Sequence, residues 1–308
     1  SPKVEAQNKV LKKVKKNEAV LERLKEIAKN GISPSTLTNY LHNPISFYKQ
    51  KILKLKEFDD VEETVAYNTL GTVVHNTLEE LYKPFVGKFL LVKDIDSMKE
   101  KSRDLVEIYF KEEFKNGDIS TGRNRLIFEV ANRFVNNFLA QEKELLQDKK
   151  NQLKIIATEE NLATEIEIDG IDFPIKIHGQ VDRVDELNGV LRIIDYKTGM
   201  VGTSDLKVPD LAKLREKEQH KAMQVLLYGY CYTKSKKYKF NQPLEAGIYS
   251  FKNLNSGFLP VNFSSNYRKP DVAITEEKLE EFMSEIKTYI KEMYALDVDF
   301  IEPADLKY

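Results

Sequence analysis

The stretch Gly179-Gln180-Val181-Asp182-Arg183-Val184-Asp185-Glu186-Leu187-Asn188-Gly189-Val190-Leu191-Arg192-Ile193-Ile194-Asp195-Tyr196-Lys197-Thr198-Gly199 decides the fold. Two runs rich in β-branched residues flank Asn188-Gly189, the strongest short-range hairpin signal. With a two-residue turn Leu187 pairs with Val190. Stepping outwards then sets Asp185 opposite Arg192, Asp182 opposite Asp195 and Gln180 opposite Lys197. Side chains alternate across a strand, so Gln180, Asp182, Asp195 and Lys197 share one face. The other face carries Asp185 and Arg192 as an ordinary cross-strand ion pair. Carboxylates placed directly opposite have Cβ atoms about 4.5–5.5 Å apart and repel. Protonation of one acid, the charge of Lys197 or a bridging divalent cation would each relieve that repulsion. A hard ion such as Mg²⁺ takes carboxylate and carbonyl oxygens and keeps several waters. Lys197 beside it could hold or help deprotonate an attacking water, or offset charge developing on a phosphate. The same spacing also suits two exposed aspartates on a solvated hairpin face, and a one-residue slip would move one carboxylate to the opposite face.

Outward from the hairpin the chain changes character near residue 152. Residues 153–168, 173–185 and 190–197 read as strands, 244–251 as a further strand, and 211–233 and 276–296 as helices. Before residue 152 the pattern is helical. Residues 3–29 carry a partial apolar stripe (Val10, Leu11, Val14, Leu21, Leu24, Ile27). Lys12, Lys13, Lys15 and Lys16 crowd the rest, as a solvated helix face or a DNA-facing patch. Ser33 is a good N-cap, with Pro34 at the first position of a helix to about 42. The apolar residues Leu70, Val73, Val74, Leu78 and Leu81 give an amphipathic helix over 69–83, and helical patterns follow over 94–115 and 122–147. The expected fold is α/β, a central mixed β-sheet flanked by helices with a helical N-terminal elaboration. The expected organisation is one domain over 1–308. Residues 1–150 form its mainly helical part, 151–260 its sheet and following helix, and 261–308 a C-terminal helical segment.

Composition narrows the function. The 308 residues carry 48 Lys+Arg against 49 Asp+Glu, a net charge of −1, so any contact with nucleic acid needs a local basic patch or metal ions. The lone cysteine, Cys231, excludes an intrachain disulfide and any four-cysteine zinc or iron–sulfur site from this chain alone. It fits a reducing compartment, and we expect a cytoplasmic location. No apolar run approaches the roughly 18 residues needed to span a bilayer. The chain opens Ser1-Pro2 without an initiator Met, as expected of a processed or excised piece, such as one module of a longer polypeptide.

Other candidates surround the hairpin. His75, with Glu79 one turn on, lies at the edge of an apolar stripe. It is either a packed or capping residue or a metal ligand supplied from outside the sheet. His220, Gln224 and Tyr228 recur every fourth residue. They form a half-exposed helix edge or a row of donors that hold a phosphate or position Lys197. Glu159 or Glu160 could add a carboxylate, with at least one of them facing solvent. His42 and His178 read as structural, and Cys231 as buried. No phosphate-binding Gly-rich loop, G-x-G-x-x-G or G-x-S-x-G pattern is present.

Together these pieces resemble the PD-(D/E)XK nuclease superfamily in its RecB/AddB-type branch, which also includes CRISPR-adaptation nucleases. The resemblance rests on Ser33-Pro34-Ser35-Thr36-Leu37 with Tyr40-Leu41, Asn43-Pro44 and Phe47-Tyr48. It continues through Gly71-Thr72-Val73-Val74-His75, Gly179 to Asp185, Ile194-Asp195-Tyr196-Lys197-Thr198-Gly199, and Gln224 with Tyr228. These stand in the family's order over roughly residues 30–255. The resemblance implies that His75, Asp182, Asp195 and the backbone carbonyl of Tyr196 bind Mg²⁺ or Mn²⁺. It makes Lys197 the catalytic lysine, acting with Asp182 and Asp195. Gln224 and Tyr228 then belong to the helix that lines the site and contacts DNA, and Glu159 matches a family carboxylate less closely. The implied activity is metal-dependent hydrolysis of DNA phosphodiesters. The implied context is an exonuclease module of a helicase–nuclease in double-strand-break repair and recombination. Its partners would be single strands or unwound ends and a helicase, as a subunit or a linked module. A catalytically silent DNA-binding or scaffolding module of the same fold is the alternative. Many AddB-like members carry a cysteine where Asn43 stands here and three more near the C-terminus. None is present at those positions, and we expect no iron–sulfur cluster.

Overall fold

Asn188 and Gly189 both have positive φ, 54° and 82°, the backbone that a type I′ hairpin turn requires. From that turn the two strands pair antiparallel in the expected register, from Leu187–Val190 through Asp185–Arg192 to Arg183–Ile194. The computed structural model describes residues 11–55, 63–114, 121–266 and 268–303. In chain order its elements are β1 (Lys13–Val14), α1 (Glu18–Asn30), α2 (Pro34–His42), α3 (Pro44–Phe47), α4 (Glu63–Tyr82), α5 (Val92–Glu113) and α6 (Gly122–Gln147). There follow β2 (Leu153–Ile166), β3 (Ile175–Leu187), β4 (Val190–Lys197), α7 (His220–Ser235), β5 (Leu244–Ser250), β6 (Phe258–Pro260), α8 (Glu276–Tyr294) and β7 (Phe300–Ile301).

The sheet is mixed and five-stranded, in the order β2-β3-β4-β5-β6. The β3–β4 and β5–β6 pairs are antiparallel, and β4–β5 is parallel. Parallel neighbours need a long crossover, which here carries α7. The fold is therefore the α/β arrangement of a central mixed sheet and flanking helices. The chain divides into two compact units, one of Ser1–Glu57, Glu165–Ile177 and Met283–Tyr308, the other of Phe58–Thr164 and His178–Phe282.

In the larger unit α4, α5 and α6 form a helical layer. Their apolar stripes, including Val73, Val74, Leu78, Val106, Phe110, Val135 and Phe138, share one core with Ile194, Tyr196, Tyr249 and Phe251. Strand alternation sends Ile194 and Tyr196 into that core and turns Asp195 and Lys197 to the other face, where α7 packs against β4 and β5.

The smaller unit departs from the sequence pattern. Residues 3–10 of the expected first helix lie outside the described residues, and residues 11–17 are not helical. Lys13 and Val14 instead pair antiparallel with Ile301 and Phe300. The helix starts after Asn17, whose side chain accepts the Val20 N–H. Lys16 is no part of a solvated or DNA-facing stripe. It is 7% exposed, donates to the Glu292 and Ala295 carbonyls at 2.9 and 3.1 Å, and lies over the rings of Tyr40 and Phe300. It thereby adds a charged donor to carbonyls at the end of α8 that also accept the Ala295 and Val298 N–H groups. In the larger unit the expected helix over 211–233 starts later, at His220. Asp210 caps a separate short turn over Leu211–Lys213, and a second follows at Lys217–Gln219.

Candidate active site

The hairpin ladder stops one step short of the two aspartates. In register the Tyr196 N–H would continue the backbone pairing of β3 with β4. It donates instead to Asp182 Oδ2, so the carboxylate takes the place of a strand carbonyl where the two strands part. Asp182 Oδ1 lies 3.2 Å from Nδ1 of His75. The other ring nitrogen of His75, Nε2, lies 2.9 Å from the Tyr196 carbonyl oxygen. Helix α4 thus brings His75 to the end of the sheet, against the backbone of the residue between Asp195 and Lys197.

Glu159 joins from β2. Its φ is 47°, the left-handed region, at a cost of order 1–2 kcal/mol for a residue with a side chain. Single strained positions of this kind concentrate at functional sites. One ligand atom each from His75, Glu159 and Asp182 lie within 4.8 Å of one another. Asp195 is 3% exposed. Its carboxylate meets Lys197 Nζ at 2.8 Å and accepts from Gln224 Nε2 at 3.2 Å. Gln224 Nε2 is also 2.8 Å from the Tyr228 hydroxyl. Of the row on α7, Gln224 therefore reaches the aspartate and Tyr228 meets it through Gln224. His220 turns away, its Nδ1 at the Lys217 carbonyl. Gln180 is exposed, beyond the last described pair of the ladder. Glu160 pairs with Lys236. Cys231 is buried, and burial pushes its thiol up to about 12.

The electrostatics are those of acids crowded together. Burial, then the Asp182 charge, raises the Glu159 carboxyl to about 7. Burial raises Asp195 also, with Lys197 pulling against it and Asp182 adding to it. Burial acts to lower His75, but the Asp182 carboxylate outweighs it and raises the imidazole to about 9. Burial likewise opposes protonation of Lys197, and Asp195 outweighs it, so the ammonium is favoured. This donor set of carboxylates, one carbonyl and one imidazole is chemically suited to a hard or borderline divalent cation. Such an ion would offset both the burial and the Asp182 charge that hold Glu159 and Asp195 above the usual carboxylate range. His75 joins it as a ligand only after giving up its proton.

A glycine fixes the geometry beside the site. A Cβ on Gly179 would lie 2.4 Å from Cε1 and 2.7 Å from Cδ1 of the Tyr228 ring, so Tyr228 occupies the space that a side chain there would need.

On the opposite face of the hairpin the expected Asp185–Arg192 pair is only part of a buried network. Arg192 contacts Asp185 through Nε at 2.7 Å and Nη2 at 2.9 Å. Arg183, fully buried, pairs with Asp185 at 2.6 Å and with Glu142 of α6 at 2.7 Å, and stacks over the Tyr82 ring at 4.6 Å. Tyr82 donates to Glu142, and Arg183 Nη1 donates to the Tyr196 hydroxyl at 3.4 Å. The network joins α4, α6, β3 and β4, and three of these carry His75, Asp182 and Asp195. Sequence reasoning passed over Arg183 and Glu142. The available signal was a glutamate inside the apolar stripe Phe138, Leu139, Glu142, Leu146.

Comparison with known proteins points the same way. The model of the PD-(D/E)XK nuclease superfamily matches residues 31–303. An ATP-dependent helicase/deoxyribonuclease subunit of Streptococcus agalactiae serotype Ia is 26% identical over 169 residues, covering 54% of this chain and 14% of that protein. An uncharacterized protein of Rickettsia felis is 26% identical over 185 residues, 56% of this chain and 19% of its own length. The chain thus spans less than a fifth of either relative. The crystal structure of SSO0001 aligns over 75% of this chain and 85% of its own at 13% identity, with a TM-score of 0.26, too low to carry an argument. With the family model matching residues 31–303, the whole mixed sheet and the helix that brings His75 to Asp182, the chain belongs to the PD-(D/E)XK nuclease superfamily.

Proposed function

We propose that the chain is a divalent-metal-dependent DNA nuclease, an exonuclease module of a helicase–nuclease that works in double-strand-break repair and recombination. The observation that carries this reading is the convergence of His75, Glu159 and Asp182 within 4.8 Å beside the Asp195–Lys197 pair. His75, Asp182, Asp195 and the Tyr196 carbonyl would hold Mg²⁺ or Mn²⁺, with Glu159 as a further carboxylate. When bound, the ion supplies Lewis-acid stabilisation of charge on the scissile phosphate and acidifies water.

The chain's own groups do the rest. Burial works against the charge on Lys197, but Asp195 outweighs it and favours the ammonium form, so Lys197 acts as a donor and a positive charge. It orients the attacking water and offsets charge on the phosphate. Gln224, already aimed at Asp195, and Tyr228, packed on Gly179, position the DNA strand at the metal site. The name of the Streptococcus relative couples a helicase with a deoxyribonuclease, which favours a helicase partner and single strands or unwound ends as substrate. A single cysteine fits the reducing cytoplasm, where such a partner would act. No helix among the described residues is long and apolar enough to cross a membrane.

The test is cleavage of a labelled single-stranded oligonucleotide with Mg²⁺ or Mn²⁺. Wild type should cut and chelator should stop it. Asp195→Ala and Lys197→Ala should each abolish cutting, with circular dichroism and melting temperature close to wild type. Full activity in either variant refutes the assignment.

A further inference from the structure

The geometry points to a second nucleic-acid contact, resting on the nuclease reading: a single-stranded DNA pocket formed by residues 234–240 with the end of α7 and the start of α8. It takes an unstacked base against Tyr238 and Phe240, while Lys234 and Lys237 hold the flanking phosphates.

Three observations converge there. Helix α7 continues beyond Gln224 and Tyr228, at the same four-residue spacing, to Tyr232. The Tyr232 ring lies 6.4 Å from Tyr238, which makes an edge contact with Phe240 at 5.2 Å. An aromatic line therefore leads from the Asp195 side of α7 into this segment. Lys236 is then tied to Glu160, the neighbour of Glu159, so the segment starts against the strand that supplies a carboxylate to the metal cluster.

A pocket of about 280 Å³ opens beside it, its lining including Lys234, Lys237, Tyr238 and Phe240 together with Glu276 and Glu280 of α8. Four lysines fall within six residues at positions 234, 236, 237 and 239, all exposed, in a chain of net charge −1. Lys237 and Phe240 are both held at positive φ, 51° and 49°, which is unusual for a bulky aromatic. The Tyr238 hydroxyl is fixed by donating to the Gln242 carbonyl at 2.8 Å, which leaves its half-exposed ring as a rigid platform. Aromatic rings beside a basic track are the physical means of holding single strands without reading sequence, since every base has a π-face. Glu276 and Glu280 of α8 add two carboxylates to the pocket lining. Those carboxylates accept from amino groups on base edges and repel phosphates, which are left to the lysines.

The experiment uses the full chain and measures binding of a fluorescent 20-nucleotide single strand without divalent metal, as a function of salt. Lys234→Ala/Lys237→Ala should weaken binding about tenfold and lower the slope of log affinity against log salt by roughly 1.4, two phosphate contacts at about 0.7 each. Tyr238→Leu/Phe240→Leu should weaken binding at least fivefold with the slope unchanged. Metal-dependent cleavage of a trinucleotide, too short to occupy both places, should be the same in the lysine variant as in wild type. Wild-type affinity and slope in the lysine variant overturn the proposal, as does an equal loss on the trinucleotide. The binding arm needs no catalysis, so a wild type that binds but never cuts would fail the nuclease reading and leave the pocket standing.

Discussion

Arg183→Met tests the buried network behind the site. The guanidinium is completely buried between Glu142 at 2.7 Å and Asp185 at 2.6 Å, against the face of Tyr82. Asp185 keeps Arg192 after the substitution, at 2.7 and 2.9 Å. Among the described residues Glu142 keeps only the Tyr82 hydroxyl and becomes a buried carboxylate with no counter-charge there. Removing one partner of a buried pair costs about 3–5 kcal/mol, mostly through the charge left behind, whereas replacing both partners is often close to neutral. Arg183→Met should therefore lose about 3–5 kcal/mol, a large share of the 5–15 kcal/mol that holds a typical domain folded. Adding Glu142→Gln should recover about 2–3 kcal/mol, because the orphaned charge goes with it. Urea unfolding followed by circular dichroism reads both values from the midpoint at constant slope. A loss under about 1 kcal/mol for Arg183→Met, or a double variant no better than the single, would refute the reasoning.

Further expectations follow from single contacts. Gly179→Ala should push the Tyr228 ring out of place. We expect cleavage to fall by about 10²-fold, the scale set by a 1 Å misplacement, with melting little changed; wild-type kinetics would show that Tyr228 does not need its position. Glu159→Gln removes the carboxyl that burial and Asp182 raise to about 7, and should weaken Mn²⁺ binding about tenfold in calorimetry; unchanged affinity would remove Glu159 from the site. Burial lowers Lys16 from 10.5 to about 8, against the pull of Glu292, so between pH 8 and 10.5 the unfolded chain binds more protons and stability rises with pH. Wild type minus Lys16→Met should accordingly gain stability across that window, by less than the roughly 3 kcal/mol of the full shift because solvent screens part of it, and stay level below it; a flat difference would mean that Lys16 is not strained by burial.

The readability of the sequence followed the range of the interactions. The Asn188-Gly189 turn is local, and it carried the β3–β4 register as far as Arg183–Ile194. It also placed Asp195 beside Lys197 on the face that α7 covers. The parting of the strands at Tyr196 was not legible, because it depends on His75 and Asp182 meeting across more than 100 residues of chain. Lys12, Lys13, Lys15 and Lys16 read as one helical face because nothing local shows that residues 13–14 pair with 300–301. The Asn17 cap was in plain view and marked the true start of α1. Glu142 stood in an apolar stripe, where an acid needs a buried partner, yet Arg183 could be identified as that partner only once the strand and helix were packed together.

The central claim is that the acids and imidazole at the parted end of the hairpin cradle a divalent ion. Anomalous scattering from Mn²⁺ soaked into crystals of this chain tests it most directly. The account predicts one strong peak between Asp182 and Asp195, within ligand distance of His75 and the Tyr196 carbonyl. Well-ordered acids with no peak there at millimolar Mn²⁺, or a peak held by other residues, would contradict it.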